Sequence, residues 1–220
     1  MLQDLWTKVD EYYAGVVAED DALKAALAES EKAGLPPIAV TANQGKLLML
    51  IAQMIGAKKI LEVGTLGGYS TIWLARGLAP GGKLVTLEYE QKHADVANGN
   101  FVRAGVANQI EVRVGDATKT MPQLIAENAG PFDLIFLDAN KDGYPIYYEH
   151  SLKLSRKGTI IFADNVVRDG AVADPTTTDE AVRGVQRLRE IVAKDKRVSA
   201  TAIQTVGSKG YDGFALIIVS

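Results

Sequence analysis

Residues 59–70 read KILEVGTLGGYS, a short apolar strand that runs into a glycine-rich turn and the start of a helix. The strand is predicted over residues 59–64 and the helix over residues 70–78. Glycines let the backbone turn and approach a ligand closely, and the free N–H groups of a helix N-terminus suit a carboxylate or a phosphate. The segment therefore predicts a strand, a ligand-binding turn and a helix, which together form one unit of an α/β sheet.

The rest of the chain repeats this alternation of apolar strands and helical stretches. Four more strands are predicted at residues 83–88, 109–114, 132–137 and 159–163. Two final strands, residues 198–205 and 214–219, flank a glycine-containing turn and are predicted to pair as a hairpin. The pattern predicts an α/β, Rossmann-like fold: a mostly parallel seven-stranded sheet with an antiparallel C-terminal hairpin strand and helices on both faces.

The N-terminal segment is predicted to be helical and to end at the break Leu35-Pro36-Pro37. We interpret residues 1–36 as a helical cap segment of a single domain that spans residues 1–220, a length typical of one α/β domain. Two capping boxes are predicted to start later helices, at residues 41–44 and 177–180. In such a box, a Thr hydroxyl and an acid or amide side chain three residues later satisfy free backbone N–H groups.

Composition restricts the kind of metal site and the kind of partner. The chain has no cysteine and two histidines, His93 and His150, so any metal must be held mainly by oxygen, which favours a hard cation such as Mg²⁺. Neither histidine follows a predicted strand, and both are interpreted as surface or boundary residues. A net charge of −3 argues against a nucleic-acid partner. The N-terminus does not resemble a signal peptide and no apolar stretch could span a bilayer, so we expect a cytoplasmic protein with no membrane partner.

An adenosine-containing cofactor is predicted from the residues that follow the first three strands, because ligands of open α/β sheets bind at the C-terminal ends of the strands. Glu88 ends the second strand roughly 20 residues past the glycine turn, where an acid commonly binds both ribose hydroxyls. Asp116 and Ala117 follow the third strand, at the place expected for the adenine. Tyr89 is a candidate to lie against the adenine ring.

The spacing of the glycines separates two kinds of adenosine cofactor. The dinucleotide fingerprint Gly-x-Gly-x-x-Gly is absent, because Leu66 stands two residues after Gly64, and the chain has no Tyr-x-x-x-Lys pair for hydride transfer. A Glu two residues before the first glycine, here Glu62, is instead typical of S-adenosylmethionine-dependent methyltransferases. An NAD(P)-dependent oxidoreductase on a Rossmann-like sheet is the alternative.

Oxygen-bearing side chains follow the fourth and fifth predicted strands. Asp138 comes directly after the fourth strand, and Asp164 and Asn165 follow the fifth. Because adjacent parallel strands end at one edge of the sheet, we expect the three side chains to converge. Two carboxylates and an amide oxygen can hold Mg²⁺ and leave positions for water and substrate oxygens. Each motif alone is common in turns, and it is their coincidence at two strand ends that favours a metal site.

From Val40 to the C-terminus, the chain resembles the caffeoyl-CoA and catechol O-methyltransferase family, including its bacterial members. The motifs that carry the resemblance are residues 62–70, Glu88, residues 137–144 and residues 163–165. The resemblance implies the S-adenosylmethionine methyltransferase fold, with S-adenosylmethionine (SAM) as cofactor and S-adenosylhomocysteine (SAH) as product. It also implies a bound Mg²⁺ or similar divalent cation and a homodimer.

The resemblance assigns roles to single residues. Asp138, Asp164 and Asn165 are expected to bind the metal, and Lys141 and Asp138 to be catalytic, with Lys141 as general base. The expected cofactor site, from the resemblance and from positions in the turns, comprises Val40, Glu62, Gly64, Thr65, Gly68, Tyr69, Ser70, Glu88, Tyr89, Asp116, Ala117 and Asp138. The implied reaction methylates one hydroxyl of a catechol-like, vicinal dihydroxy phenolic small molecule.

The chain departs from the plant members of that family near the acceptor. Asn140 stands where they have an acid, and Arg168 and Asp169 stand where they have an aromatic residue and an Asn. A methyltransferase with a non-catechol acceptor therefore stays open as an alternative. RNA or protein methylation is disfavoured by the acidic net charge and by the absence of an Asn/Asp-Pro-Pro-aromatic motif. A non-catalytic cofactor-binding module is disfavoured by the intact polar residues at the strand ends.

Overall fold

The computed structural model describes residues 2–220, and over that range the chain forms a seven-stranded sheet. The strands are β1 Lys59–Val63, β2 Lys83–Glu88, β3 Ile110–Val114, β4 Leu134–Leu137, β5 Ile160–Asp164, β6 Val198–Gly207 and β7 Gly210–Val219. Their order is β3-β2-β1-β4-β5-β7-β6, with β1 to β5 parallel and β7 antiparallel to both β5 and β6. The predicted fold is confirmed. The strand order reverses between β1 and β4, which is where ligands bind in sheets of this kind.

Helices cover both faces of the sheet and divide the core into two parts. They are α1 Leu2–Val17, α2 Asp21–Lys32, α3 Ala42–Met54, α4 Tyr69–Gly77, α5 Gln91–Arg103, α6 Ala117–Ala126, α7 Tyr144–Lys153 and α8 Glu180–Lys194. Successive side chains of β4 point to opposite faces, so Leu134 and Phe136 pack on the side of α1 to α5, and Ile135 and Leu137 on the side of α6 to α8. Within residues 2–220, no helix combines the length and apolar character that crossing a membrane requires.

Helix starts show where local prediction holds and where it fails. At α3 the Thr41 hydroxyl accepts the Gln44 N–H at 3.2 Å, as predicted, but the return bond from the Gln44 side chain to the Thr41 backbone is not formed. The box predicted at residues 177–180 is wrong, because α8 is capped by Asp179, whose carboxylate accepts the N–H groups of Ala181 and Val182 at 2.8 and 3.2 Å. Asp caps a helix as well as Thr does, and here it lies directly before the first helical residue.

Candidate functional site

The C-terminal ends of β4 and β5 meet at one edge of the sheet. Leu137 pairs with Ala163 across the two strands, so Asp138 and Asp164 leave the sheet side by side. The buried hydroxyl of Tyr144 joins the two strand ends, because it donates to the backbone carbonyl oxygens of Leu137 at 2.9 Å and Asp164 at 2.7 Å. The convergence expected from the sequence is therefore present in the backbone.

The glycine turn after β1 touches the end of β4. Gly64 has a φ of +103°, and a Cβ built on it would lie 2.2 Å from the carbonyl oxygen of Asp138. The Asp138 N–H in turn donates to the Val63 carbonyl at 2.9 Å. Only glycine fits at this position, and the turn predicted to bind the cofactor is in direct contact with the residue predicted to bind the metal.

Lys141 and Asp138 form an ion pair close to this contact. Lys141 Nζ lies 2.7 Å from Asp138 Oδ1, and the lysine is only 8% exposed. The ammonium also lies 5.1 Å from the centroid of the Tyr144 ring. A cation–π interaction at this distance stabilises the position of the ammonium. Gly184 of α8 packs against the Lys141 backbone with no room for a side chain. The loop that carries Lys141 is therefore packed directly against α8.

Asp164 carries the strongest electrostatic signature of the predicted metal ligands. It is 5% exposed, and burial is the largest cause that raises the pKa of its carboxyl above its usual 3.8. The charge of Asp138 raises this pKa further, whereas Lys141 and the hydrogen bond from the Asn165 N–H lower it. Two carboxylates and one ammonium thus interact in a largely buried space. Electrostatic interactions between charged groups are stronger there than in water.

Asn165 is held with its amide nitrogen turned away from this space. Its backbone has a φ of +53°, and its Nδ2 donates to Asp212 Oδ2 at 3.1 Å, which leaves the side-chain carbonyl oxygen available as a ligand. The other oxygen of Asp212 accepts the N–H groups of Val167 and Arg168 at 3.1 and 2.9 Å. Sequence reasoning missed Asp212. It lies on β7, 47 residues from Asn165, and no local pattern connects the two.

On the cofactor side, Glu62 is fully buried and binds hydroxyl groups. Oε1 accepts the Ser70 hydroxyl at 2.6 Å, and Oε2 accepts those of Thr71 and Thr86 at 2.5 and 2.7 Å. These bonds connect β1 to the first turn of α4 and to β2. They therefore fix both ends of the glycine turn that joins β1 to α4. Burial raises the pKa of Glu62 from 4.5 to about 7, against the effect of the three hydroxyls.

This raised pKa predicts a pH-dependent stability. The folded protein keeps a proton on Glu62 that the unfolded chain releases, so the stabilisation is complete below pH 4.5 and is lost as the pH rises through 7. The contribution falls by up to about 1.4 kcal/mol per pH unit. Urea unfolding between pH 5 and 8 should show a smaller decline in E62Q than in wild type, with E31Q, which alters an exposed acid, as control. Parallel curves for E62Q and wild type would contradict the assignment.

The carboxylate of Glu88, the residue predicted to bind the ribose, already has several hydrogen-bond partners in the protein. Its Oε2 accepts the backbone N–H groups of Thr65 and Leu66 at 3.1 and 2.7 Å. Its Oε1 accepts the Glu90 N–H at 3.0 Å and lies 3.2 Å from His93 Nδ1. The interpretation of His93 as a mere surface or boundary residue was therefore incomplete, since it contacts a predicted cofactor ligand. A ribose hydroxyl would have to share Glu88 with three backbone donors and the His93 ring.

The other predicted cofactor residues follow β1, β2 and β3, except Val40, which precedes α3. Gly68 is the left-handed N-cap of α4, with a φ of +82°, and Asp116 caps α6 by accepting the Thr118 N–H at 2.9 Å. Tyr69 is buried and donates to Glu19 Oε1 at 2.6 Å, toward the N-terminal helices. Tyr89 is 70% exposed. Val40, Thr65, Ser70 and Ala117 complete the set, and direct contact of all these residues with a cofactor stays a prediction.

The N-terminal helix α1 and the β6–β7 hairpin contact each other and the segment that leads into α3. Asp10 of α1 accepts the Asn43 amide at 2.9 Å and the Ser208 N–H at 2.7 Å. Lys209, at the hairpin tip, donates to the carbonyl of Ala39, next to Val40. Burial lowers the pKa of Lys209, while the charges of Asp138 and Asp164 oppose that shift. The sequence did not reveal these long-range contacts.

Comparison with known proteins identifies the family. A family model described as O-methyltransferase matches residues 14–217. A catechol O-methyltransferase of Niastella koreensis is 50% identical over 220 residues, which is 100% of both chains. An O-methyltransferase from Bacillus cereus in complex with SAH has a TM-score of 0.97 and 51% identity, covering 99% of this chain and 100% of that one.

A second solved structure agrees with this result. It is an O-methyltransferase from Streptomyces achromogenes, involved in tomaymycin synthesis and in complex with SAM, with a TM-score of 0.97 and 48% identity over 100% of this chain and 99% of that one. The NAD(P)-dependent alternative is therefore wrong. The chain belongs to the O-methyltransferase family and is a SAM-dependent O-methyltransferase.

Proposed function

We propose that the chain transfers the methyl group of SAM to one hydroxyl of a catechol-like small molecule and that it requires Mg²⁺ or a similar divalent cation. The observation that carries the proposal is the contact of the Lys141–Asp138 ion pair, the buried Asp164 and the Gly64 turn at adjacent strand ends. The printed name of the Niastella koreensis relative, catechol O-methyltransferase, supports the choice of acceptor.

The donor set suits a hard cation. Asp138 and Asp164 provide carboxylate oxygens whose mutual repulsion a cation would relieve, and Asn165 provides a carbonyl oxygen because Asp212 binds its amide nitrogen. Within residues 2–220, no three His, Cys, Asp or Glu side chains are arranged to hold a metal, so the Asn165 amide is needed to complete the set. A bound cation would supply Lewis acidity and a template for two vicinal oxygens.

The residues of the chain then have distinct tasks. Lys141 in its neutral form accepts the proton of the acceptor hydroxyl at Nζ and becomes the ammonium, and Asp138, 2.7 Å away, keeps that nitrogen at a fixed place. The Gly64 turn brings the cofactor side of the site next to that nitrogen, so alignment of the reactants is the main contribution of the protein. Bound SAM would supply the electrophilic methyl group.

A paired-acceptor assay tests the proposal. Methyl transfer from labelled SAM to a 1,2-dihydroxybenzene should be lost by at least about 100-fold when EDTA removes divalent ions, and Mg²⁺ should restore it, because a Lewis acid and template contribute several kcal/mol. The matched monohydroxy compound should react poorly under both conditions, since it offers one oxygen. Equal rates on both acceptors would favour the non-catechol alternative, and transfer unaffected by EDTA would contradict the proposed requirement for a cation. The homodimer, the single domain of residues 1–220 and the cap at residues 1–36 stay predictions.

A further inference from the structure

We propose that the outer face of α1 is a contact surface for a second copy of this chain, with two α1 helices packed against each other about a two-fold axis. The side chains that α1 turns outward, their spacing and the area that they expose support this location. An interface there is independent of the metal and of the acceptor proposed above.

The inner face of α1 contacts the rest of the protein largely through polar side chains. Gln3 Nε2 donates to the carbonyl oxygens of Gly207 and Ser208 at 2.9 and 3.1 Å. Asp10, two turns further along the helix, accepts the Ser208 N–H at 2.7 Å. Among the described residues of α1, only the last, Val17, is buried. A helix of this length is marginal in water unless packing covers its apolar face, and these contacts provide little such cover.

The outer face of α1 is apolar and exposed. Its large side chains are between 47% and 80% exposed, and they are Leu2, Leu5, Val9, Tyr12, Tyr13 and Val16. Five of them, at positions 2, 5, 9, 12 and 16, are spaced alternately by three and four residues. That spacing is typical of a coiled-coil seam, in which each helix covers the apolar stripe of another. The face therefore has the pattern of a helix–helix contact, although no helix within residues 2–220 covers it.

The exposed area suits a partner that presents the same stripe. At these exposures the six side chains hold on the order of 700 Å² of surface, close to the roughly 800 Å² that each partner contributes to a standard interface. The largest apolar patch on a typical monomer is about 300–600 Å². With the helices antiparallel, a two-fold axis beside Val9 places Leu2 opposite the partner's Val16, so apolar residues meet along the whole stripe.

Charge distinguishes a second protein chain from a lipid surface. Helices that lie on membranes carry Lys and Arg on their polar side, and these side chains bind anionic lipids. In contrast, α1 has three acids, Asp4, Asp10 and Glu11, and a single base, Lys8. Because a two-fold axis supplies the matching apolar stripe from the same sequence, a second copy of this chain fits the face better than an anionic membrane does.

The test is the molar mass in solution, measured by light scattering and by sedimentation velocity, for wild type, V9D, V9K and V102D. Wild type should have twice the chain mass of 23.6 kDa. V9D and V9K should each raise the Kd of the dimer by at least about 100-fold, because like charges would face each other beside the axis. The control V102D changes a valine that is 71% exposed on α5 and should stay dimeric.

Mixing the two charged variants tests the position of the axis. An equimolar mixture of V9D and V9K should recover the dimer mass, since opposite charges would then face each other. Hydrogen exchange should be faster in α1 of V9D than in α1 of wild type and unchanged in β1, which would show that the variant is folded. A monomeric wild type, or a V9D variant that stays dimeric, would overturn the proposal, and a mixture that stays monomeric would overturn the antiparallel arrangement about Val9. A monomeric wild type that binds vesicles containing phosphatidylglycerol would assign the face to a membrane instead.

Discussion

Replacing Lys141 with methionine should lower kcat by about 10²–10⁴-fold, the range usually lost with a general base, and should leave SAH affinity within about twofold. The ammonium lies 2.7 Å from Asp138 Oδ1 and is almost fully buried, so no other lysine of the described chain shares its position. Because a base acts only on the acceptor hydroxyl, its loss appears in the chemical step and not in the binding of the cofactor. Single-turnover methyl transfer and calorimetry with SAH measure the two effects separately.

Two further variants distinguish the base from a mere counter-charge. K141R keeps a positive charge beside Asp138 and Asp164, but a guanidinium does not give up its proton at neutral pH, so it should be about as inactive as K141M. K32M is the matched control, because Lys32 pairs with an acid three residues earlier, as Lys141 does, at 3.8 Å on the surface. Activity near the wild-type level in K141R would show that Lys141 stabilises charge only, and the same result in K141M would remove it from the mechanism.

The fold could be predicted from the sequence because its determinants are local and periodic. Short apolar runs such as residues 132–137 are typical of strands covered on both faces, and the structure has β4 at Leu134–Leu137. Gly64 and Gly68 mark a turn that needs positive φ. Strand-end positions follow from the topology, so Asp138 and Asp164 could be placed together from the order of the strands alone.

Other features of the site depend on partners that no local pattern specifies. Asp212 supports Asn165 from the antiparallel strand β7, and Thr86 reaches Glu62 from β2, 24 residues further along the chain. His93 does not follow a strand in the sequence, yet the first turn of α5 places its ring 3.2 Å from Glu88 Oε1. Gln44 fits a capping box by its spacing, but only its backbone N–H is bonded to Thr41, and its side-chain nitrogen is buried without a hydrogen-bond partner among residues 2–220. A spacing rule identifies which bonds are possible, and tertiary packing selects among them.

Replacing Gly64 with alanine should destabilise the protein by about 2–5 kcal/mol, because positive φ costs an alanine about 1–2 kcal/mol and overpacking about 1–3 kcal/mol more. For a chain of this length the thermal midpoint should fall by roughly 4–20 °C. The added Cβ would meet the Asp138 carbonyl at 2.2 Å, so the turn and the end of β4 must move apart. We therefore expect SAH affinity and methyl transfer to fall together, unlike in K141M, and differential scanning calorimetry with an SAH titration measures both.

The matched control is G81A, since Gly81 also has positive φ, at +76°, but a Cβ added there would meet no atom within 4 Å. It carries the conformational cost alone and lies in the turn before β2, away from the site, so its midpoint should fall less and its SAH affinity should not change. The difference between the two variants isolates the close approach of the turn to β4. If G64A and G81A lose equal stability and G64A still binds SAH normally, the contact between Gly64 and Asp138 does not connect the cofactor turn to the catalytic strand, and alignment must come from elsewhere in the fold.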